Sequence, residues 1–215
     1  MDKYHIKHRL DGKRGIGTIA DPFNGNEFDW AISEIKRLKG YDTPVAIKIG
    51  EGTFSTIGFA PAKNWVIRGS GMRKTTLKLQ DVGLKSFHHP DVHIISTAWY
   101  GGFDPAWAET ITVSDMTLDC DWSNQGGRQT QYVKYAGVHA SCTRGLIERI
   151  RVINWGSNGV GKFHSEVFPI SLQTYSDEGT YAVIQDCIVE KQFQYEGGYS
   201  TAINIVTTRP EGGDR

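Results

Sequence analysis

The chain has 215 residues, and its 24 lysines and arginines balance 24 aspartates and glutamates, which gives a formal net charge of zero. This balance argues against a general nucleic-acid-binding protein, which needs a basic excess. No apolar run is long enough to span a membrane, and the first ten residues, MDKYHIKHRL, lack the apolar core of a secretory signal. We therefore expect neither nucleic acid nor a membrane as a partner.

Residues 1–22 are predicted to form a basic N-terminal arm. Five cationic side chains occur within the first fourteen residues, and they are Lys3, Lys7, Arg9, Lys13 and Arg14. A short segment of like charges is usually solvated, so this arm is not expected to join the core.

One amphipathic helix is predicted within residues 23–40, in the stretch NEFDWAISEIKRLKG. Asn26 is suited to cap its start and Gly40 to end it. Its apolar residues recur at helical spacing, and they are Phe28, Ala31, Ile32, Ile35 and Leu38. Such a stripe needs one apolar surface to cover.

Residues 41–215 consist of short strand-like stretches separated by glycine and polar turns. Three stretches share a template with apolar residues at offsets 0, 3 and 5, which breaks strand alternation once, as a bend does. The copies are Val113, Met116 and Leu118, then Ile147, Ile150 and Val152, then Ile184, Cys187 and Val189. Repeats that bury their apolar side only by stacking are typical of a solenoid.

The stretches VAIKIGEGTFSTIGF, NWVIRGSGMRKTTLKL and GVHASCTRGLIERIRVINWGSNG resemble coils of the pectate-lyase-like right-handed parallel β-helix superfamily. The resemblance covers roughly residues 41–206. It implies an all-β solenoid whose first coil is capped by the N-terminal helix. Since the N-T-D, D-D and G-H-G motifs of the polygalacturonase-like branch are absent from the sequence, no branch is assigned. The last stretch, TAINIVTTRPEGGDR, begins a coil and stops, which favours a chain truncated from a longer protein.

The segment GSNGVGKF, residues 156–163, is similar to a phosphate-binding loop. Such a loop needs a following helix and a serine or threonine after the lysine, whereas here Phe163 follows Lys162 and no helical stripe comes next. We therefore predict no nucleotide site, and expect Gly156, Gly159 and Gly161 to form a turn.

Two carboxylates follow the first copy of the strand template. Asp119 and Asp121 are two residues apart, so on an extended strand they face the same way at about 7 Å. This separation suits an inverting glycosidase, in which one carboxyl protonates the leaving oxygen and the other activates water. In a lyase, Lys191 or Arg149 is the candidate base that removes the proton beside a uronic carboxylate.

The bend position of the template is occupied by Asp115, Arg149 and Asp186. An acid–base–acid ladder at this position fixes the register of the strands. The functional alternative is that the forked guanidinium of Arg149 binds carboxylates of an acidic glycan.

Four further residues are predicted to bind substrate beside the aspartates, and they are Trp122, Asn154, Trp155 and Glu190. The two tryptophan rings are suited to form a platform for sugars, or else fold back over the strands. Asp119, Asp121 and Glu190 also offer oxygen ligands for Ca²⁺. The alternative to all of these roles is that the residues are polar turn residues at a strand end.

The histidines and cysteines give weaker signals. His88, His89 and His93 lie close in sequence, but Pro90 interrupts them and no familiar metal spacing appears, so a surface loop is predicted. His139 is either a general acid–base or a structural histidine. The three cysteines form no paired framework and are expected to be small buried side chains.

These residues favour a polysaccharide-binding and polysaccharide-cleaving β-helix protein, either a lyase or a glycoside hydrolase that acts on an acidic glycan. The alternative is a non-catalytic glycan-binding adhesin or phage tail-type protein that forms a homotrimer. A third hypothesis is a structural solenoid module. Each of them predicts a location outside the cell or on a cell or virion surface.

Overall fold

The structure is a computed structural model that describes residues 1–81, 91–97, 108–126, 134–157, 168–175, 180–190, 193–194 and 202–208. These residues are mostly β, with one α-helix, α1 (Phe28–Lys39). The strands are β1 (Asp2–Lys7), β2 (Phe23–Asn24), β3 (Val45–Ile49), β4 (Gly52–Thr56), β5 (Trp65–Arg68), β6 (Thr75–Leu79), β7 (Asp91–Ser96), β8 (Ala108–Asp119), β9 (Lys134–Ile153), β10 (Gly156–Ser157), β11 (Ile170–Tyr175), β12 (Tyr181–Gln185), β13 (Ile188–Val189), β14 (Phe193–Gln194) and β15 (Ile203–Thr208).

The strands form where β-branched and apolar residues alternate with polar ones. In β3, VAIKI, the side chains of Val45, Ile47 and Ile49 are buried, and the residues between them are partly exposed. β6, TTLKL, repeats the alternation. Side chains two residues apart share a face of a strand, so each strand turns one face to a common core and the other outward.

The strands join in three parallel runs that meet in the long strand β9. The first run is β1–β3–β5–β8–β9–β12, the second is β4–β6–β8–β9–β13, and the third is β7–β9–β11–β15. Only the short strand β10 pairs antiparallel with β9 among the described strands. The prediction of a mostly β chain with many parallel strands is confirmed.

The sequence repeat corresponds to the observed register. Val113 pairs with Ile147, and Ile147 pairs with Ile184 on the next strand. The other members pair too, Met116 with Ile150, and Leu118 with Val152, which pairs with Val189. The predicted bend is confirmed, because each repeat holds one residue in the left-handed region, and these are Asp115 (φ 62°), Arg149 (φ 50°) and Asp186 (φ 53°).

The predicted N-terminal arm is wrong for residues 2–7. They form β1, which pairs in parallel with β3 and with β2, and Ile6 is fully buried. Ile6, which lies between the charged residues, accounts for this pairing, because burial of its side chain holds the whole strand on the sheet. Of the charges that suggested a solvated arm, Lys3 and Lys7 lie on the outer face of that strand.

The helix is confirmed, and only its start differs from the prediction. Four of its apolar residues, Phe28, Ala31, Ile32 and Ile35, are buried, whereas Leu38 is 47% exposed. A 3₁₀ turn, Gly25–Glu27, precedes α1. Asn24 caps that turn by accepting a hydrogen bond from the Asn26 N–H (3.1 Å), so Asn26 is not the cap. Gly40, at φ 69°, ends the helix as predicted.

Two smaller predictions have mixed outcomes. Gly156 belongs to β10 and not to a turn, and residues 158–163 of the glycine-rich segment lie outside the described residues. Cys120 and Cys142 are buried free thiols as expected, whereas Cys187 is only partly buried. Burial raises the pKa of the Cys142 thiol to about 12, which keeps this thiol protonated and unreactive.

Candidate functional site

The two candidate catalytic aspartates stabilise a turn. β8 ends at Asp119, and Asp121 lies in the left-handed region at φ 48°, so the extended geometry assumed for the pair is wrong. Asp119 Oδ1 accepts hydrogen bonds from the Asp121 N–H (3.0 Å) and from Asn154 Nδ2 (2.7 Å). The Asp119 carboxylate therefore joins the turn to the neighbouring strand.

Asp121 also has its partners within the chain. Its Oδ1 accepts a hydrogen bond from Asn124 Nδ2 (2.8 Å), and its Oδ2 lies 3.2 Å from Lys78 Nζ. A general base must reach its proton directly or through one water, and both oxygens of the Asp121 carboxylate already have partners within the chain. The two aspartates therefore lack the extended geometry from which the acid–base role was predicted, and that role stays a prediction.

Arg149 is occupied by two carboxylates of its own chain. Its Nε and Nη2 donate to Asp115 at 2.6 and 3.1 Å, and its Nη1 and Nη2 donate to Glu148 at 2.7 and 2.6 Å. These bonds use four of the five N–H donors of a guanidinium, so no fork remains for a substrate carboxylate. The Asp115–Arg149 step of the predicted ladder is observed, and the second carboxylate that Arg149 binds is its neighbour on β9, Glu148, in place of Asp186.

The same contacts define the electrostatics of this ion-pair cluster. Hydrogen bonds from Arg149 hold the pKa values of Asp115 and Glu148 below their ordinary values. Arg68 lies within 3.4 Å of the Asp115 carboxylate, so two guanidinium groups face two carboxylates. The cluster is neutral as a whole, which suits a structural ion-pair network.

The proposed calcium ligands do not converge. Glu190 forms an ion pair with Arg151 on β9, away from the Asp119 turn contacts. Within the described ranges, no group of three or more histidine, cysteine, aspartate or glutamate side chains is placed to hold a metal ion. The structure therefore does not bring Asp119, Asp121 and Glu190 together as a set of calcium ligands.

The tryptophan platform is also wrong, because both rings are buried. Trp122 is 8% exposed and Trp155 is 3% exposed. A left-handed residue directly precedes each ring, Asp121 (φ 48°) before Trp122 and Asn154 (φ 54°) before Trp155. A single left-handed residue interrupts strand alternation, which turns the next side chain to the opposite face. The Trp122 ring packs edge-on against Tyr135, with ring centroids 5.6 Å apart.

The candidate base Lys191 lies outside the described residues. Of the remaining predicted binders, Asn154 is partly exposed and donates to Asp119. The predicted edge therefore holds turn contacts and ion pairs, which is the structural alternative that the sequence left open.

A polar cluster on β7, β9 and β11 was not predicted from the sequence. The rings of His93 and His139 lie 5.2 Å apart, and Ser141 Oγ is 3.5 Å from both His139 Nε2 and Gln173 Oε1. His93 is buried in β7, so the surface loop predicted for it is wrong. The three strands come from distant parts of the sequence, and only their register brings these side chains together.

A basic face on β1 and β3 was also missed as a site. Because Ile6 and Ile47 are buried, alternation places Lys3, His5 and Lys7 on the outer side of β1. His5 pairs in register with Lys48 on β3, which joins the same face. The alternating pattern K-x-H-x-K around a buried isoleucine was the available signal.

The charges of this basic face act on one another. The pKa of His5 lies below its ordinary value, first because of burial and then because of the positive charges of Lys7, Lys3 and Lys48. The acidic residues near these strands in the sequence pair elsewhere, Asp2 with Lys39 and Glu51 with Lys74. The face therefore carries a net positive field although the whole chain is neutral.

Comparison with protein-family models, curated proteins and solved structures gives no match for this chain. In the part of the chain that the structure describes, no helix is both long and apolar enough to cross a membrane. The function is therefore inferred from the side chains themselves.

Proposed function

We propose that the chain is a right-handed parallel β-helix that binds an acidic polysaccharide along its outer side and does not cleave it. The observation that carries this proposal is the basic face formed by Lys3, His5, Lys7 and Lys48. The proposal favours the adhesin or tail-type alternative over the lyase and the glycoside hydrolase.

The β-helix is supported by the three parallel runs and by the repeat. Equivalent residues of successive repeats pair directly, as Val113, Ile147 and Ile184 do. A bend follows at the same place in each repeat, and the sequence resembles coils of this superfamily. In such a fold each circuit of the chain adds one strand to every sheet.

Binding of an extended polyanion follows from the spacing of the strands. Equivalent side chains on neighbouring parallel strands lie about 4.8 Å apart, which is close to the length of one sugar residue. His5 and Lys48 stand opposite each other on such neighbours. Arg68, the next residue in register on β5, is already paired with Asp115 and is not counted in the basic face. A chain of uronate or sulfated sugars lying across β1 and β3 presents one negative charge to each strand of the basic face.

Binding without cleavage is supported by the state of the predicted catalytic groups. Asp119 and Asp121 hold the turn after β8, and Arg149 holds Asp115 and Glu148. Each of these groups is therefore neutralised or hydrogen-bonded before a substrate arrives. A substrate would have to displace these contacts before any of the groups could transfer a proton.

The test is a binding titration with acidic and neutral polysaccharides of similar length. The variant Lys3→Gln/Lys7→Gln/Lys48→Gln removes three charges, and Lys63→Gln, which removes a lysine paired with Asp42, is the control. An exposed ion pair contributes about 0.2–1 kcal/mol, so the triple variant is expected to bind the acidic polymer roughly 3- to 100-fold more weakly.

The same samples are assayed for reducing ends and for unsaturated uronate absorbance. We expect neither product. Equal affinity for neutral and acidic polymers, or equal affinity of the triple variant and the wild type, contradicts the proposed face. Product release that is lost in Asp119→Asn contradicts the absence of cleavage and restores the enzyme hypothesis.

A further inference from the structure

His5 stands at the centre of the basic face on β1 and β3. Lys3 and Lys7 lie two residues before and after it on β1, where both are exposed, and Lys48 is its register partner on β3. Side chains two residues apart on a strand share a face at about 7 Å, and opposite residues on a neighbouring strand lie about 4.8 Å away. Lys48 Nζ donates to the Gly69 carbonyl oxygen, which fixes the ammonium group without neutralising its charge. One imidazole therefore shares the outer face with three lysines.

The elements packed against β1 add no negative charge beside this imidazole in the described part of the chain. β2, Phe23–Asn24, has no ionisable side chain, and the only charged side chain of β3 is that of Lys48. On the side of α1, Lys39 pairs with Asp2 (2.7 Å). Asp2 is the one carboxylate of β1, so the strand keeps its lysines without a free acid to compensate them.

The carboxylates of the segment between β1 and β2 are paired as well. Asp11 and Asp21 both form ion pairs with Arg9. That segment meets β1 through its backbone, where the His5 N–H donates to the Gly17 carbonyl oxygen (2.8 Å). The charged groups that act on the His5 ring are therefore lysines.

Burial and the lysines act on His5 in the same direction. The pKa of its imidazole lies below the ordinary value of 6.5, first because of burial and then because of the charges of Lys7, Lys3 and Lys48. The imidazole is therefore uncharged at neutral pH, and the lysines alone supply the positive charge of the face.

We infer that His5 makes binding of an acidic polymer at this face depend on pH, because its imidazole takes up a proton when the polymer covers the lysines. This inference rests on the proposed function. The negative groups of the polymer offset the ammonium charges and offer an acceptor for a ring N–H. The proton on His5 then adds one attraction to the complex.

The direction of the pH dependence follows from this linkage. The pKa of His5 is higher in the complex than in the free protein, so the protonated form binds the polymer more tightly. The added affinity is complete below the pKa of the free protein. It is lost as the pH rises through the pKa of the complex.

The first test is a binding titration with sulfated dextran at about pH 5 and pH 8 and at constant ionic strength, with neutral dextran of the same length as the reference. Sulfate esters stay ionised over this range, whereas a histidine changes its charge. One added charge is expected to make binding to the wild type roughly 2- to 5-fold tighter at the lower pH. His5→Gln is expected to lose this difference and to bind like the wild type at pH 8. The control His139→Gln, on β9, is expected to keep it.

The second test follows the imidazole signals of His5 by NMR, identified by their loss in His5→Gln. The pKa of His5 is expected to rise when sulfated dextran binds. It is also expected to rise in free Lys7→Gln, because Lys7 is the lysine that lowers it most. This second comparison needs no polymer, so it tests the electrostatic argument independently of the proposed function.

The outcomes separate the inference from the proposed function. If sulfated and neutral dextran bind alike, or neither binds, both fall together. If sulfated dextran binds more tightly but wild type and His5→Gln show the same pH dependence, the inference alone is overturned. A His5 pKa that stays the same in Lys7→Gln and in the complex overturns it as well.

Discussion

Replacement of Asp119 by alanine is expected to destabilise the fold. The substitution removes the acceptor for two hydrogen bonds, from the Asp121 N–H at 3.0 Å and from Asn154 Nδ2 at 2.7 Å. Hydrogen bonds to a charged acceptor contribute about 1.5–3 kcal/mol each when buried, and Asp119 is only partly buried. We therefore expect a loss of about 2 kcal/mol in total, which in a chain of this size lowers Tm by roughly 4–8 °C.

The matched variant Asp119→Asn separates the hydrogen bonds from the charge. Its carbonyl oxygen can still accept both bonds, so about half of the loss is expected. Stability is measured by urea and thermal unfolding, and affinity for an acidic polysaccharide is measured on the same samples. The reasoning is refuted if Asp119→Ala unfolds like the wild type, or if affinity is lost while stability is kept.

Three further predictions concern other described residues. Asp115 and Glu148 have lowered pKa values in the folded state, so they add stability at pH above their unfolded pKa values of 3.8 and 4.5. This stability is lost as the pH falls through their folded pKa values. Arg149→Met is expected to flatten that part of the pH–stability curve. In the part of the chain that the structure describes, the buried Trp155 Nε1 has no hydrogen-bond partner. Trp155→Phe is therefore expected to cost under about 1 kcal/mol in urea unfolding, since relief of the unpaired donor offsets lost packing. Asp186 is exposed and lies in the left-handed region at φ 53°, which glycine adopts readily and alanine does not. In thermal unfolding, Asp186→Gly is expected to be about as stable as the wild type or slightly more stable. Asp186→Ala is expected to be about 1 kcal/mol less stable.

The repeat and its bend could be predicted because they depend on local spacing. Apolar residues at offsets 0, 3 and 5 indicate two short strands joined by one residue at which the inward–outward alternation of side chains reverses. The structure places Asp115 and Arg149 at that reversal, both with positive φ. The class of the fold follows from this pattern, since stacked copies of one template pair in parallel.

The candidate site could not be predicted, because its geometry depends on single residues with unusual backbone angles. Asp121 and Asn154 lie in the left-handed region, and each turns the following tryptophan into the core. Asparagine and aspartate adopt this region more readily than most residues, but the sequence does not say where they do so. An extended strand was assumed at Asp119, and that assumption placed both carboxylates on one face.

The ion-pair partners of the charged residues could not be predicted from the sequence either. Glu190 meets Arg151, and Arg149 meets Glu148, through contacts that depend on side-chain direction at each strand. The basic residues of β1 were noticed in the sequence but assigned to a solvated arm. One buried isoleucine, Ile6, makes them a face of the sheet instead.

Amide hydrogen exchange with and without an acidic polysaccharide tests the central claim most directly. The proposal predicts slower exchange at residues 2–7 and 45–50 when the polymer is bound, unchanged exchange at residues 119–124, and an intact polymer afterwards. Protection at residues 119–124 together with shortened polymer would contradict it, and would place a cleaving site at the turn that follows β8.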